Sequence, residues 1–309
     1  MNTSSPSLLL RKEKGEASSS PLLTKERLGE VRKHIARALR NTSDAPELDA
    51  QRIILHSLEK RDASYLISHA EEVLTAEQEK NILSMANIRK TGMPLAYVLG
   101  EADFYGRTFI ATQDVLIPRP DTEFLIEKAL EYIQNNFQNK KEIVITDLCT
   151  GSGIIAITLA LELKNIHIIA TDISNSALNI AKQNAEQHSV SDRIEFLEGN
   201  LLEPIKNKKI DLIVSNPPYV PSAELASLRA QRSNLAARHA GITTTPHPLP
   251  LPLMQGGENT AGLLFEPQIA LDGGKDGLDF VRQIQEYSKT HNIPAIIEIV
   301  GGEIIAENM

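Results

Sequence analysis

The sequence predicts an α/β fold, an open and mostly parallel sheet, preceded by a small all-helical domain. Three observations predict it. Between residues 28 and 90 the apolar positions recur at helical spacing. Residues 142–163 then run as a short apolar strand, a glycine loop and an apolar helix. Beyond them, the apolar runs Ile166-His-Ile-Ile-Ala-Thr-Asp172 and Asp211-Leu-Ile-Val-Ser215 each finish on polar residues suited to a ligand. Strands of open α/β sheets present such residues at their C-terminal ends.

Taken in order, residues 1–23 are rich in Ser and Pro without any period and are expected to form a disordered extension. The helical domain is placed at residues 24–93. Leu28, Val31, Ile35 and Leu39 mark a first helix; Ser43, Asp44 and Pro46 end it; Ala50, Ile53, Ile54 and Leu58 mark a second. Thr75-Ala-Glu-Gln78 matches a capping box, in which side chain and backbone at the two ends satisfy each other, and a further helix runs to Lys90. Residues 94–309 form the α/β domain. Its entrance, from Pro94 through Phe104-Tyr105-Gly106 to Ile117-Pro118-Arg119-Pro120-Asp121-Thr122-Glu123, reads as a linker, an aromatic hairpin and a helix starting at Asp121 or Thr122. Acids in that first turn favour the helix dipole.

The chemistry concentrates at three strand ends. After the strand at residues 211–215 comes Asn216-Pro217-Pro218-Tyr219. The prolines stiffen the backbone and donate nothing, so the turn offers acceptors: the Asn216 amide oxygen and the Pro217 carbonyl. The Tyr219 ring adds a flat surface. Such a corner can grip the exocyclic nitrogen of adenine or guanine, or the side-chain amide of glutamine. Upstream, Leu148-Cys149-Thr150-Gly151-Ser152-Gly153 allows positive φ and close backbone approach beside a helix N-terminus. Asp172 follows Gly153 by 19 residues, near the roughly 20 at which a carboxylate takes ribose hydroxyls. With only two glycines, the loop suits a nucleoside without phosphates better than a dinucleotide.

Composition narrows the function classes. A chain of 309 residues with 41% hydrophobic content has room for two domains and a sizeable core. Its single cysteine, Cys149, excludes an internal disulfide and suggests a reduced, cytoplasmic setting. Neither a signal peptide nor a membrane span is expected, and no metal site. The net charge of −8 supplies no whole-chain basic footprint, and the basic residues from Arg32 to Arg40 are spread around a helix. That balance favours a protein substrate over nucleic acid.

The glycine loop, Asp172 and Asn-Pro-Pro-Tyr together resemble the Rossmann-like S-adenosylmethionine-dependent methyltransferase domain. With the helical domain, the entrance segment and Phe265-Glu-Pro-Gln-Ile-Ala-Leu-Asp-Gly-Gly-Lys-Asp-Gly-Leu278, the chain is similar to the release-factor glutamine methyltransferases of the HemK type across roughly residues 24–223 and 265–300. The resemblance implies a helical domain that binds peptide chain release factors. It also implies methylation of the glutamine side chain in their Gly-Gly-Gln motif, which serves translation termination. By position it implies cofactor binding by Cys149, Thr150, Gly151, Ser152, Gly153, Asp172, Asn200, Leu201 and Asn216. Asn216, Pro217, Pro218 and Tyr219 would hold the glutamine, with Asn216, Pro217 and Tyr219 catalytic and Phe104 and Arg119 bordering the site. At Asn200 the family often has an acid.

The chain departs from the family in two places. Residues 225–262 read as a low-complexity insertion, and the family's final strands are expected to be missing. The strand Pro294-Ala-Ile-Ile-Glu-Ile-Val300 is thus expected to be an apolar edge with Ile296 and Ile299 uncovered. Two other readings stay open: an amino-group methyltransferase acting on DNA or RNA, and a shortened remnant that only binds a partner.

Overall fold

The computed structural model describes residues 27–239 and 263–308. The expected N-terminal extension and residues 240–262 of the expected insertion lie outside them.

Five helices build the first domain: α1 (Leu28–Leu39), α2 (Pro46–Ser57), α3 (Ser64–Ser68), α4 (Ala76–Arg89) and α5 (Leu95–Leu99). The apolar stripe read from α1 is its buried face, and Leu28, Val31, Ile35 and Leu39 meet Ile53 and Ile54 of α2 and Ile82 of α4 in one core. The capping box forms as read. Gln78 N donates to Thr75 Oγ1 at 3.2 Å and Thr75 N to Gln78 Oε1 at 2.9 Å, a cap worth about 1 kcal/mol. Arg89 Nε donates to Asp49 Oδ2 at 2.7 Å and ties α4 to α2 in a largely buried ion pair.

A hairpin of β1 (Glu101–Phe104) and β2 (Arg107–Ile110) leads into α6 (Thr122–Asn136). Phe104 and Phe109 pack edge to face with centroids 6.2 Å apart, and Phe104 is 2% exposed. This corrects the expectation that Phe104 borders the site. It faces inward on β1, where an aromatic ring gains more from the core than from a cleft.

The sheet contains β3 (Ile143–Leu148), β4 (Ile166–Asp172), β5 (Ile194–Glu198), β6 (Leu212–Ser215), β7 (Ala295–Glu298) and β8 (Ile304–Glu307), in the spatial order β5-β4-β3-β6-β7-β8. All neighbours are parallel except β7 and β8. Side chains alternate across it. Ile143, Ile145, Leu212, Val214 and Ile296 join one core with α6 and α7 (Ile154–Glu162), while Leu148, Ile213, Ala295 and Ile297 join another with α10 (Asp279–His291). α8 (Asn175–Gln187) covers the β4–β5 part on the α7 side, with Ala185 in the first core. Strands buried on both faces read as unbroken apolar runs, which is why they were legible.

Two expectations about the later chain are corrected. The strand at Ala295–Glu298 is not an open edge: Gly301 (φ 78°) and Gly302 (φ 72°) turn the chain back, and β8 pairs antiparallel with it, Ala295 opposite Glu307 and Ile297 opposite Ile305. Ile296 is fully buried and Ile299 partly so. A Gly-Gly pair between short apolar runs is a hairpin signal that reading for longer strands passes over. The segment from residue 225 also does not begin as low-complexity loop. It lies in helix α9 (Ser222–His239), whose Leu225 and Leu228 are buried against Val220, Leu263 and Leu271.

β8 both pairs the backbone of β7 and helps cover Ile296 and Ile297, whose burial is worth about 1.5–3 kcal/mol each. Ending the chain at Gly302 is expected to leave β7 as an apolar edge and drive self-association. Sedimentation of the shortened and full chains at equal concentration checks this, and a monodisperse shortened protein contradicts it.

Candidate active site

β3 and β6 lie side by side at the point where the chain's crossovers change direction, so the segments following them share one crevice at the carboxyl edge. After β3 the backbone takes three left-handed steps, at Cys149 (φ 60°), Gly151 (φ 55°) and Gly153 (φ 83°). Asp147 holds this loop on the helix behind it. Its Oδ2 accepts from Thr150 Oγ1 at 2.6 Å and from Ala156 N in the first turn of α7 at 3.1 Å. The two glycines serve different ends. A Cβ on Gly153 would stand 3.0 Å from Ile157 Cδ1 and 3.1 Å from Ala181 Cβ, so its absence lets α7 and α8 close together. A Cβ on Gly151 would meet nothing within 4 Å, because that position faces the open cleft.

Asp172 closes β4 at the same level. Its Oδ2 accepts from Gly151 N and its Oδ1 from Ser174 N, both at 2.9 Å. Burial pushes its pKa up, and these backbone donors oppose the shift. An ionised carboxylate has about four acceptor sites, so these bonds leave capacity for hydroxyl donors from a ligand. Burial likewise raises the Cys149 thiol, so Cys149 acts as a small neutral wall rather than a nucleophile.

The cleft in front of these groups encloses about 760 Å³, counting the part open to solvent. Of the residues singled out from sequence, Cys149, Gly151, Asp172, Asn200, Leu201, Asn216 and Pro218 line it. Thr150 and Ser152 are buried, at 3% exposure each, and do not reach it. Their work is inside the loop: Thr150 binds Asp147, and the Ser152 carbonyl accepts from Asn184 Nδ2 at 2.9 Å. The cleft wall also includes the apolar residues Leu116, Ile173, Ala270 and Phe280, which were not singled out from the sequence.

A second, smaller cavity is lined by Arg119, Pro217 and Tyr219 and shares Leu116, Asn216 and Ala270 with the first. Asn216 thus stands where the two meet. Its Nδ2 donates to Thr122 Oγ1 at 3.0 Å, while its Oδ1 is buried without a hydrogen-bond partner. A buried acceptor left open costs roughly 1–3 kcal/mol, so it points to a donor supplied from outside. Arg119 Nη2 donates to Glu266 Oε1 at 2.8 Å, in a pair whose side chains are 15% and 1% exposed.

The turn itself is clamped by the later chain. Val220 N donates to Leu271 O at 2.8 Å, and Gly273 N donates to Val220 O at 2.9 Å. A Cβ on Gly273 would fall 2.7 Å from Tyr219 Cα, and one on Gly277 would fall 2.3 Å from Tyr219 O. Gly273 and Gly277 therefore let this backbone touch the Asn-Pro-Pro-Tyr corner.

Sequence reasoning missed two polar members. Thr122 and Glu298 are each 1% exposed, and the Glu298 carboxyl group lies beside the side chains of Thr122 and Asn216. Burial drives the Glu298 pKa up to about 7 against the pull of these neighbours. One signal could have found it: an acid ending the apolar run Ala295-Ile-Ile-Glu298 occupies the same strand-end position as Asp172.

Comparison with known proteins agrees with this layout. Residues 30–100 match the family described as PrmC N-terminal domain, and residues 125–239 match the Methyltransferase small domain. These fall on the helical and α/β parts respectively. The chain is similar to a release factor glutamine methyltransferase of Bacillus anthracis, 36% identical and covering 77% of this chain and 73% of that protein. A release factor glutamine methyltransferase of Xylella fastidiosa is 33% identical over 86% of this chain and 82% of its own length. A bifunctional methyltransferase of Rickettsia bellii is 33% identical over 79% of this chain and 42% of its own length.

Asp147 carries a stability prediction. It is fully buried, and burial raises its pKa from 3.8 to about 7. A carboxyl that holds its proton more tightly when folded stabilises most at low pH, and that contribution is lost as pH rises from about 4 toward 7. Asp147→Asn keeps the acceptor for Thr150 and removes the titration. Its melting temperature is expected to fall less than that of the wild type between pH 5 and pH 8. Parallel pH profiles from thermal denaturation would contradict this.

Proposed function

The chain belongs to the release factor glutamine methyltransferase family, and on that premise we propose that it methylates a glutamine side-chain nitrogen in peptide chain release factors, in their Gly-Gly-Gln motif, with S-adenosylmethionine as methyl donor. The observation that carries this reading is the unpartnered Asn216 Oδ1 at the junction of two cavities, one bearing Asp172 and the other Tyr219.

The larger cleft fits S-adenosylmethionine. Gly151 leaves room against the loop, Asp172 can accept from ribose hydroxyls, and Ile173, Leu201 and Phe280 give apolar surface for a base. Asn200 has an amide oxygen able to accept from an adenine amino group. When bound, S-adenosylmethionine supplies an electrophilic methyl group on a sulfonium sulfur.

The protein's own residues handle the amide. Its nitrogen is a poor nucleophile because the lone pair is delocalised into the carbonyl. Asn216 Oδ1 and the Pro217 carbonyl can accept both of its hydrogens, which holds the nitrogen in line and stabilises the positive charge that grows on it. The Tyr219 ring gives the planar group a surface to lie on. Fixed orientation is worth an effective molarity of about 10⁵ M or more. A strong base is unnecessary, since the methylated, still protonated amide is acidic enough to lose its proton to water. The helical domain, matching the PrmC N-terminal domain, would dock the release factor. Action on release factors supports a cytoplasmic setting. Among the described residues no helix is long and apolar enough to cross a membrane.

Asn216→Ala is expected to lower turnover by about 100-fold or more while S-adenosylmethionine affinity stays within a few-fold of wild type. Transfer of labelled methyl to a release factor, its glutamine-substituted variant and RNA measures this. Retained transfer by Asn216→Ala, or equal labelling of the glutamine-substituted factor, overturns the reading.

A further inference from the structure

A primary amide can sit in its pocket either way round, because rotation by half a turn exchanges its oxygen for its NH2 group with almost no change in shape. At Asn216 the two orientations are opposite in effect. With Oδ1 toward the second cavity, the residue accepts from an incoming NH2 group; reversed, it would present N–H against N–H. The orientation must therefore be imposed from behind.

Register and helix placement supply the means. β6 and β7 pair with Ser215 opposite Ile297, so Asn216 and Glu298 are the next residues on neighbouring strands. Thr122 is the first residue of α6, and the β7–β8 turn packs on that helix start, where a Cβ on Gly302 would come within 2.9 Å of Asp121 Cβ. Asn216 Nδ2 donates to Thr122 Oγ1 at 3.0 Å, and the Glu298 carboxyl group lies beside both side chains, which favour its ionised form. The three side chains are neighbours, and the Glu298 carboxylate favours an N–H donor over an oxygen on its side of Asn216. Were Asn216 reversed, its oxygen would face a carboxylate, and the single Thr122 hydrogen could not serve both.

We propose that Glu298, acting with Thr122, is a positioning residue that locks the Asn216 amide with its oxygen facing the substrate nitrogen. This rests on the methyl-transfer reading of the site. Glu298 touches neither cavity, so its effect passes through Asn216. A buried carboxylate kept for stability alone would be a poor choice, since apolar replacements of buried charges are often neutral or stabilising.

The test compares Glu298→Leu, Thr122→Val, Thr122→Ser and Asn216→Ala in the full chain. Glu298→Leu is expected to lower kcat by about 100-fold with the KM for S-adenosylmethionine unchanged, because the acceptor is misoriented rather than the cofactor cleft altered. Its melting temperature is expected to equal or exceed that of wild type. Its affinity for a glutamine-containing peptide, read by calorimetry without turnover, is expected to fall about tenfold. Thr122→Val should lose about tenfold in kcat, and Thr122→Ser, which keeps the hydroxyl, should recover most of that loss. Glu298→Leu turning over at the wild-type rate beside an inactive Asn216→Ala overturns the positioning role and leaves the site reading intact. An active Asn216→Ala overturns both. If Glu298→Leu does not fold, the Thr122 pair decides: equal loss in Val and Ser variants sinks the proposal.

Discussion

The parallel pairing of β3 with β6 is the constraint from which the site follows. Leu148 lies opposite Ser215 in that register, and Ser215 Oγ donates to Leu148 O at 2.8 Å across the pair. The residues just beyond, Cys149 and Asn216, are therefore held at the same height above the sheet. Because the chain crosses from one side of β3 to the other between β5 and β6, no helix covers the crevice between these two strand ends. A ligand space opens there by topology. Side-chain identity then decides what it can hold.

The walls of that space are backbone as much as side chain. Three glycines permit contacts that a Cβ would forbid: Gly153 between α7 and α8, and Gly273 and Gly277 against Tyr219. They come from segments more than 100 residues apart in sequence. Gly153 lets two helices close behind the glycine loop, while Gly273 and Gly277 let the later chain press on the Asn-Pro-Pro-Tyr corner. Prolines restrict the same corner from within, since their φ is preset and they leave no N–H to satisfy. Rigidity of this kind costs entropy on folding rather than at each catalytic cycle.

Behind the walls lie acids kept away from water. Asp147 and Glu298 each have a carboxyl oxygen with no hydrogen-bond partner, and burial raises the pKa of both to about 7. Their cost is offset because each organises something else. Asp147 joins the glycine loop to α7, and Glu298 lies beside Asn216 and Thr122, which are themselves hydrogen-bonded at the start of α6. The C-terminal hairpin contributes to the second arrangement, covering β7 and packing against Asp121. An element read from sequence as an exposed edge is in fact part of the support for the site.

The helices at residues 28–39, 46–57 and 76–89, the strands β3, β4, β6 and β7 and the loops after β3, β4 and β6 were legible in the sequence alone, because apolar periodicity, glycine and proline report local backbone preference. The chemistry at Gly151, Asp172 and Asn216 was legible for the same reason: each follows a strand, and strand ends are local features. Tertiary structure decided the rest. It placed Phe104 in the core, turned residues 304–307 into a covering strand, and made residues 222–239 a helix whose Leu225 and Leu228 pack by the site wall. It also brought Thr122 and Glu298 to Asn216 from 94 and 82 positions away in the chain. Hydrogen bonds between such distant residues depend on register and packing angle, which no local pattern records.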